Sequence, residues 1–184
     1  TTATSFTDSA VSANQTKTYT IRCIDKNGKT VSGFNSKGWS KKYTAAPTIS
    51  KLENTTGGIK LSWNKVTGVY GYRVYQKTSN GWKRIKDTTA TRYTDSAVSA
   101  NQTKTYTIRC IDKNGKTVSG YNSKGWSKKY TAATPKITKL TNTSKGVSVT
   151  WNKIAGVYGY RLYRKYDGGS WTKVKDTTST SFTD

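Results

Sequence analysis

Hydrophobic and polar residues alternate over short stretches of the chain, and no stretch shows the period of an amphipathic helix. In residues 58–64 the apolar Ile59, Leu61 and Trp63 alternate with Lys60 and Ser62, which predicts a half-buried strand. The same pattern predicts further strands at residues 49–52, 71–77, 82–86, 92–94 and 103–111, with a last one within 117–130. Residues 47–134 therefore hold seven short strands separated by turns.

The chain is internally repeated. Residues 1–46 recur as residues 88–133 with three differences, and residues 47–89 recur, more diverged, as residues 135–178. A period of 87 to 89 residues is too long for a solenoid repeat and suits a small autonomous domain. The only two prolines, Pro47 and Pro135, each follow a short run of small residues that we interpret as an interdomain linker.

The positions of these two linkers divide the chain into three predicted parts. Residues 47–134 form one complete unit, residues 1–46 the last three strands of a preceding unit, and residues 135–184 the first five strands of a following one. The arrangement is typical of a slice through a longer tandem array, with no natural terminus expected within it. An alternative is that the two partial units complete one another between neighbouring chains, head to tail, in a fibre.

Seven short antiparallel strands in fewer than 90 residues predict an all-β fold, with each unit a seven-stranded antiparallel sandwich of two sheets. The core is expected to be one layer of alternating side chains from each sheet. Its predicted members are Trp63, Tyr72, Val74, Tyr106, Ile108, Cys110 and Trp151. Cys23 occupies the repeat position of Cys110, so both cysteines are expected to face inward as small hydrophobic residues without a disulfide.

Several motifs resemble the fibronectin type III family. They are Pro47 at the start of the unit, Leu61-Ser62-Trp63 in the second strand, Tyr72-Arg73-Val74 in the third, and the run at residues 105–109 in the sixth. The sequence is also similar to the Lys-, Tyr- and Trp-rich tandem type III repeats of surface proteins of Gram-positive anaerobes. That resemblance implies an extracellular spacer, stalk or adhesive module at a bacterial cell surface or wall. The loop at residues 112–125 has no Arg-Gly-Asp, so integrin recognition of that type is not expected.

The residue inventory argues against catalysis. There is no histidine, which excludes an imidazole base and histidine metal ligands. Seven of the nine acidic residues recur at equivalent turn positions, and no phosphate-binding glycine loop follows a strand. We therefore expect no enzyme activity, no cofactor and no metal site. No run of 18 apolar residues predicts a membrane span.

The composition shows a large excess of basic over acidic residues. Thirty-two Lys and Arg against nine Asp and Glu give a net charge of +23, and residues 47–134 alone carry 16 against 4, or +12. Outward positions on the third and sixth strands should form a basic, partly aromatic face. The candidate residues for polyanion or glycan contact are Arg73, Tyr75, Lys77, Trp82, Arg109, Tyr121 and Trp126.

Three functions are compatible with this charge. The first is an extended, mutually repelling stalk, spacer or fibre with a solvated basic surface, whose partners are neighbouring repeats or head-to-tail copies. The second is a module that binds carbohydrate or an anionic wall polymer, with aromatic rings available to stack on sugars. The third is nucleic-acid binding, for which no motif accompanies the basic residues.

Overall fold

The computed structural model describes residues 2–11 and 15–184, and its regular secondary structure is entirely β. Fourteen strands follow one another: β1 Thr16–Tyr19, β2 Trp39–Lys42, β3 Ile49–Thr55, β4 Gly58–Trp63, β5 Gly71–Thr78, β6 Gly81–Thr88, β7 Arg92–Asp95, β8 Thr103–Ile111, β9 Trp126–Lys129, β10 Ile137–Thr143, β11 Gly146–Trp151, β12 Tyr160–Arg164, β13 Thr172–Thr177 and β14 Ser181–Thr183. No helix capable of crossing a membrane occurs among the described residues.

Seven of these strands build the central unit. One antiparallel sheet has the order β3-β4-β7 and the other the order β6-β5-β8-β9. A three-stranded and a four-stranded sheet with these connections form the all-β, seven-stranded sandwich of fibronectin type III and immunoglobulin-like folds, and the sequence prediction of this fold is confirmed. The strands run slightly beyond the predicted bounds because hairpin pairing continues into the turns, as at Thr55↔Gly58 and Thr78↔Gly81.

The core lies between the two sheets. On β8, Tyr106, Ile108 and Cys110 point inward and are fully buried. They face Ile59 and Leu61 of β4, which are fully buried too, across the layer that two packed sheets enclose. The remaining expected core residues of this unit, Trp63, Tyr72 and Val74, are buried in the same cluster.

Residues 135–184 repeat the first part of this architecture. Strands β10, β11 and β14 form one sheet, and β12 and β13 form a two-stranded sheet. Trp151 is buried and contacts Tyr160 edge to face, with ring centroids 5.6 Å apart, just as Trp63 contacts Tyr72. The described residues up to 46 contribute one two-stranded sheet, β1-β2.

One expectation about the first segment is wrong. Cys23 was predicted to be buried like Cys110, but it is exposed, and its neighbour Ile21 is 80% exposed. Position 23 follows the same alternation as position 110. Among the described residues of the first segment, however, no second sheet covers this face, so an inward-type position is exposed to solvent.

Candidate functional site

The outer face of the four-stranded sheet brings six of the seven candidate surface residues together. Arg73 lies directly opposite Arg109 on the adjacent strands β5 and β8, and Tyr75 lies opposite Thr107. Across the other edge of β5, Lys77 lies opposite Trp82 of β6. Alternation places these side chains on the side of the sheet away from the core, because directly paired residues share a face.

Aromatic rings and an arginine form a contiguous cluster on this outer face. The guanidinium of Arg109 lies 5.3 Å from the centre of the Tyr121 ring, a cation–π distance. Its Nε and Nη2 atoms also donate hydrogen bonds to the Ser119 carbonyl, at 3.0 and 2.8 Å. Tyr121 in turn meets Trp82 edge to face, with centroids 6.4 Å apart. The cluster therefore joins strand β6 to the loop before β9, across the whole sheet.

A glycine allows Trp82 to lie across the sheet. Gly125 has a φ of +74°, and a Cβ there would lie 2.6 Å from the far edge of the Trp82 ring. A side chain at residue 125 would therefore push the indole away from Tyr121. The backbone conformation alone favours glycine at this position.

The outer face carries mostly positive charge and includes one carboxylate, that of Asp87. Asp87 accepts two hydrogen bonds from Arg73, both 2.8 Å long, and a third ionic contact from Arg84 at 2.8 Å. The hydrogen bonds from Arg73 hold the pKa of Asp87 below its ordinary value, so the carboxylate stays ionised. With Arg109 and Lys77 close by, the face keeps an excess of positive charge that can attract an anion.

Trp126 does not belong to this face. It lies directly opposite Tyr106 in the β8–β9 pairing and packs, half-buried, against the hydrophobic core. Its outward neighbours on β9 are Ser127, which bonds Thr105, and Lys129. The expectation that Trp126 borders the basic face is corrected by this register, which turns its side chain toward the core.

A second functional feature is the joint between the central unit and residues 135–184. Tyr130, the last residue of the unit before the linker, is fully buried. Its hydroxyl donates a hydrogen bond to the Ala155 carbonyl at 2.9 Å and lies 3.3 Å from the Thr55 carbonyl. Its own backbone is tied to Gln102 and Asn101 by 2.8 Å hydrogen bonds. The side chain of Tyr130 thus links the β3–β4 hairpin to the following segment, and its backbone is fixed by the loop before β8.

Backbone hydrogen bonds complete this joint. The Ala155 N–H donates to the Thr56 carbonyl at 2.8 Å, and the Ala100 N–H donates to the Gly156 carbonyl at 2.9 Å. Gly156 has a φ of +69°, and a Cβ there would lie 2.7 Å from the Val98 carbonyl oxygen. The loop of the following segment therefore fits against the pole of the central unit only with a glycine at this position.

The sequence reasoning did not identify Tyr130 as a contact residue. The available signal was a tyrosine directly before a small-residue linker, repeated at Tyr43. In the first segment Tyr43 keeps the local 2.8 Å hydrogen bond to Gln15 but is 46% exposed.

The described residues also contain no cluster of three or more metal-ligating side chains.

Comparisons with known proteins place the chain beside large bacterial enzymes. It is 29% identical to Exoglucanase B of Cellulomonas fimi over 100% of its own length and 18% of that enzyme's. It is 31% identical to Chitinase A1 of Niallia circulans over 66% of its length and 19% of that enzyme's. It is 36% identical to a poly(3-hydroxybutyrate) depolymerase of Ralstonia pickettii over 37% and 13%. The chain thus spans less than a fifth of each relative.

No protein-family model matches the chain. A crystal structure of the FN1–FN3 domains of chicken CNTN1 aligns with 88% of the chain and 64% of its own length, at 17% identity and a TM-score of 0.32. The assignment of the fold rests on the strand order of the central unit.

Proposed function

We propose that the chain is a non-catalytic, extracellular segment of a bacterial protein, and that it acts as a stiff spacer. The observation that carries this proposal is the joint around Tyr130, where side-chain and backbone hydrogen bonds hold consecutive units in one orientation. A buried aromatic side chain and paired backbone groups at an interface resist bending more than a solvated linker does. The chain matches a minor part of several long enzymes, and this favours an accessory role next to other domains.

The location and partners follow from this role. Exoglucanase and chitinase are names of enzymes that act on polysaccharides, so the parent protein of this chain is proposed to work outside the cell, at a surface or wall. Its immediate partners are the neighbouring repeats of the same polypeptide. The excess of positive charge in each unit keeps parallel spacers apart by mutual repulsion.

The spacer proposal predicts a narrow distance between the central unit and residues 135–184. In a Cys23→Ser background, spin labels at Lys83→Cys and Lys139→Cys, two exposed positions, report this distance by pulsed electron paramagnetic resonance. We expect one narrow distribution in the unaltered joint and a clearly broader one after Tyr130→Ala. Tyr130→Phe keeps the ring and loses one hydroxyl donor, which costs about 1 kcal/mol, so it should broaden the distribution less.

Tyr43→Ala is the matched control for this experiment. It removes the same residue type from the same repeat position, but Tyr43 lies outside the labelled joint. The distance between the two labels should not change in this variant. A broad distribution in the protein with both tyrosines intact would contradict the spacer.

A second function is favoured by the cluster on the outer face. Tyr121, Trp82 and Arg109 combine aromatic surface with a fixed positive charge, the pairing that suits an anionic polysaccharide. Neighbouring Lys77 extends the positive charge along β5. In this role the repeats would bind a wall polymer weakly at each unit and more strongly along an array.

Binding of this kind is expected to depend on rings as well as charge. The protein is titrated with teichoic acid, a heparin-like glycan, a neutral glucan and DNA at low and high salt. Tyr121→Ala and Arg109→Gln should each weaken glycan binding about tenfold, which corresponds to ~1.4 kcal/mol. Lys60→Gln, which removes one charge from the other sheet, is the matched control and should change affinity little.

The pattern across ligands separates the alternatives. Retention of one glycan at high salt, lost in Tyr121→Ala, supports a glycan site. If all polyanions bind equally and high salt abolishes this binding, charge alone accounts for it and the glycan site is contradicted. Preferential binding of DNA would move the assignment to nucleic acid.

A further inference from the structure

Arginine side chains lie close together on the outer face of the four-stranded sheet. Arg73 of β5 lies directly opposite Arg109 of β8. Arg84 of β6 lies opposite Tyr75, the next outward residue of β5. Guanidinium groups bind sulfate, phosphate and carboxylate groups through parallel N–H donors. Arginines at adjacent positions of this sheet would therefore suit an anionic polymer whose charged groups are closely spaced.

A carboxylate of the chain already occupies two of these arginines. The Nε and Nη2 atoms of Arg73 donate hydrogen bonds to the two oxygens of Asp87, both at 2.8 Å. The Nη2 atom of Arg84 lies 2.8 Å from the Oδ2 atom of Asp87. Arg73 would make the same two-pronged contact with an external sulfate or phosphate group. Asp87 therefore takes the place that a ligand anion would have at this position.

The third arginine is engaged as well. Arg109 donates from Nε and Nη2 to the Ser119 carbonyl, and its guanidinium lies against the Tyr121 ring. The face leaves for a ligand the ring surface of Tyr121, which is 41% exposed, and isolated ammonium groups such as that of exposed Lys77. Ring surface beside isolated charges suits a polymer of sugar rings with widely spaced anionic groups.

The same arrangement recurs in residues 135–184. Arg161 donates to both carboxylate oxygens of Asp176, at 2.8 and 3.1 Å. Lys173, at the repeat position of Arg84, lies 2.8 Å from the same carboxylate. These three residues belong to the β12–β13 hairpin, so their contacts depend on no other strand. A carboxylate with two cations is thus kept although the sequences of the two hairpins have diverged.

We infer that Asp87 makes the outer face select against polymers with closely spaced sulfate or phosphate groups. This inference rests on the proposed glycan binding at the face and specifies which anionic polymers bind there. An approaching sulfate would have to displace Asp87 from Arg73 and would meet a like charge at short range. Water screens that charge only in part, because the side chains of Arg73 and Asp87 are 17% and 25% exposed. A sparsely charged polymer can bind at Lys77, about 13 Å along β5 from Arg73, without approaching Asp87.

Removal of the carboxylate charge tests this selectivity. The affinities of the unaltered chain and of Asp87→Asn are measured for a heparin fragment, a single-stranded oligonucleotide and a hyaluronan fragment, which carries a carboxylate on every second sugar. Asp87→Asn should raise the first two affinities by at least about fivefold and the affinity for hyaluronan by less than about twofold.

Glu53→Gln is the matched control. It removes one charge from the other sheet, where Glu53 is paired with Lys51 at 2.7 Å. This variant should raise all three affinities equally and by less than about twofold, because it changes only the net charge. Equal gains for the three polymers in Asp87→Asn, or gains no larger than those of Glu53→Gln, would overturn the inference.

A nuclear magnetic resonance titration with inorganic sulfate shows whether Arg73 itself gains a ligand. The Nε–H signal of Arg73 should shift in Asp87→Asn and stay in place in the unaltered chain, and the same spectra report whether the variant is folded. Asp87→Ser, a smaller replacement, repeats both measurements. An Arg73 signal that sulfate does not shift in either variant would also overturn the inference. Hyaluronan binding that is unchanged in Tyr121→Ala would contradict the proposed glycan site alone, since the gain for heparin does not depend on that ring.

Discussion

Replacing Asp95 with alanine should destabilise the central unit by about 3–5 kcal/mol, the cost of leaving a buried charge without its partner. Asp95 and Lys104 are almost completely buried, and their charged atoms lie 3.4 Å apart. The Tyr106 hydroxyl donates to the same carboxylate oxygen at 2.8 Å. The Ala97 N–H donates to the other oxygen at 3.0 Å. The Lys104 ammonium also donates to the Ala97 carbonyl and, at 3.3 Å, to Gln76.

Denaturant unfolding followed by circular dichroism measures this loss. The double variant Asp95→Ala/Lys104→Met should recover a large part of it, because it removes both charges and leaves an apolar side chain. Asp8→Ala is the control within the chain. Asp8 accepts a 2.9 Å hydrogen bond from Tyr19 at the same repeat position, but in solvent, so its loss should cost about 1 kcal/mol or less. Equal losses for Asp8→Ala and Asp95→Ala would contradict this account.

Trp63→Ala should have the second large effect, about 3–5 kcal/mol, because it opens a cavity in the core. Trp63 is buried in the cluster that contains Ile59 and Val74, and its ring meets Tyr72 edge to face at 5.6 Å. Its indole nitrogen is buried and has no hydrogen-bond partner among the residues that the structure describes. Trp63→Phe therefore loses volume but no hydrogen bond, and it should cost clearly less than Trp63→Ala. Both are measured by denaturant unfolding.

Trp151→Ala offers a comparison at the same repeat position. Trp151 is as buried as Trp63 but lies in a segment with half a sandwich. Its replacement should leave the main unfolding transition of the central unit almost unchanged. A loss equal to that of Trp63→Ala would show instead that the central unit and the last segment unfold as one.

The fold of the central unit could be predicted because its signals are local. Alternation along residues 58–64 and 103–111 identifies which side chains face inward, and glycine-containing turns separate the strands. The same alternation places Lys104 with Tyr106 and Ile108 on the inner face. Its ion pair with Asp95 was missed because a buried lysine is understood only when its partner on another strand is known.

The arrangement of the surface residues depends on which strands pair and in which register, and this cannot be derived from the sequence alone. Arg73, Arg109 and Tyr75 were placed correctly on one face, since neighbouring strands of a sheet share their alternation. The direction of Trp126 follows from its register with Tyr106, and one residue of shift would have turned it outward. Tyr130 contacts a loop 25 residues away in another unit, and no local pattern indicates such a partner.

In the proposed spacer, the glycine-dependent fit at Gly156 and the hydrogen bonds of Tyr130 would set the orientation of one unit relative to the next. If the same joint formed between all repeats, a constant rotation at every step would turn the row of repeats into a screw. The basic aromatic faces then follow a helical path with a regular pitch. The two linkers differ by one residue, between the stretches at 44–46 and 131–134, and such a change resets that pitch. The length of a linker can therefore decide whether successive faces meet the same flat surface or point to opposite sides.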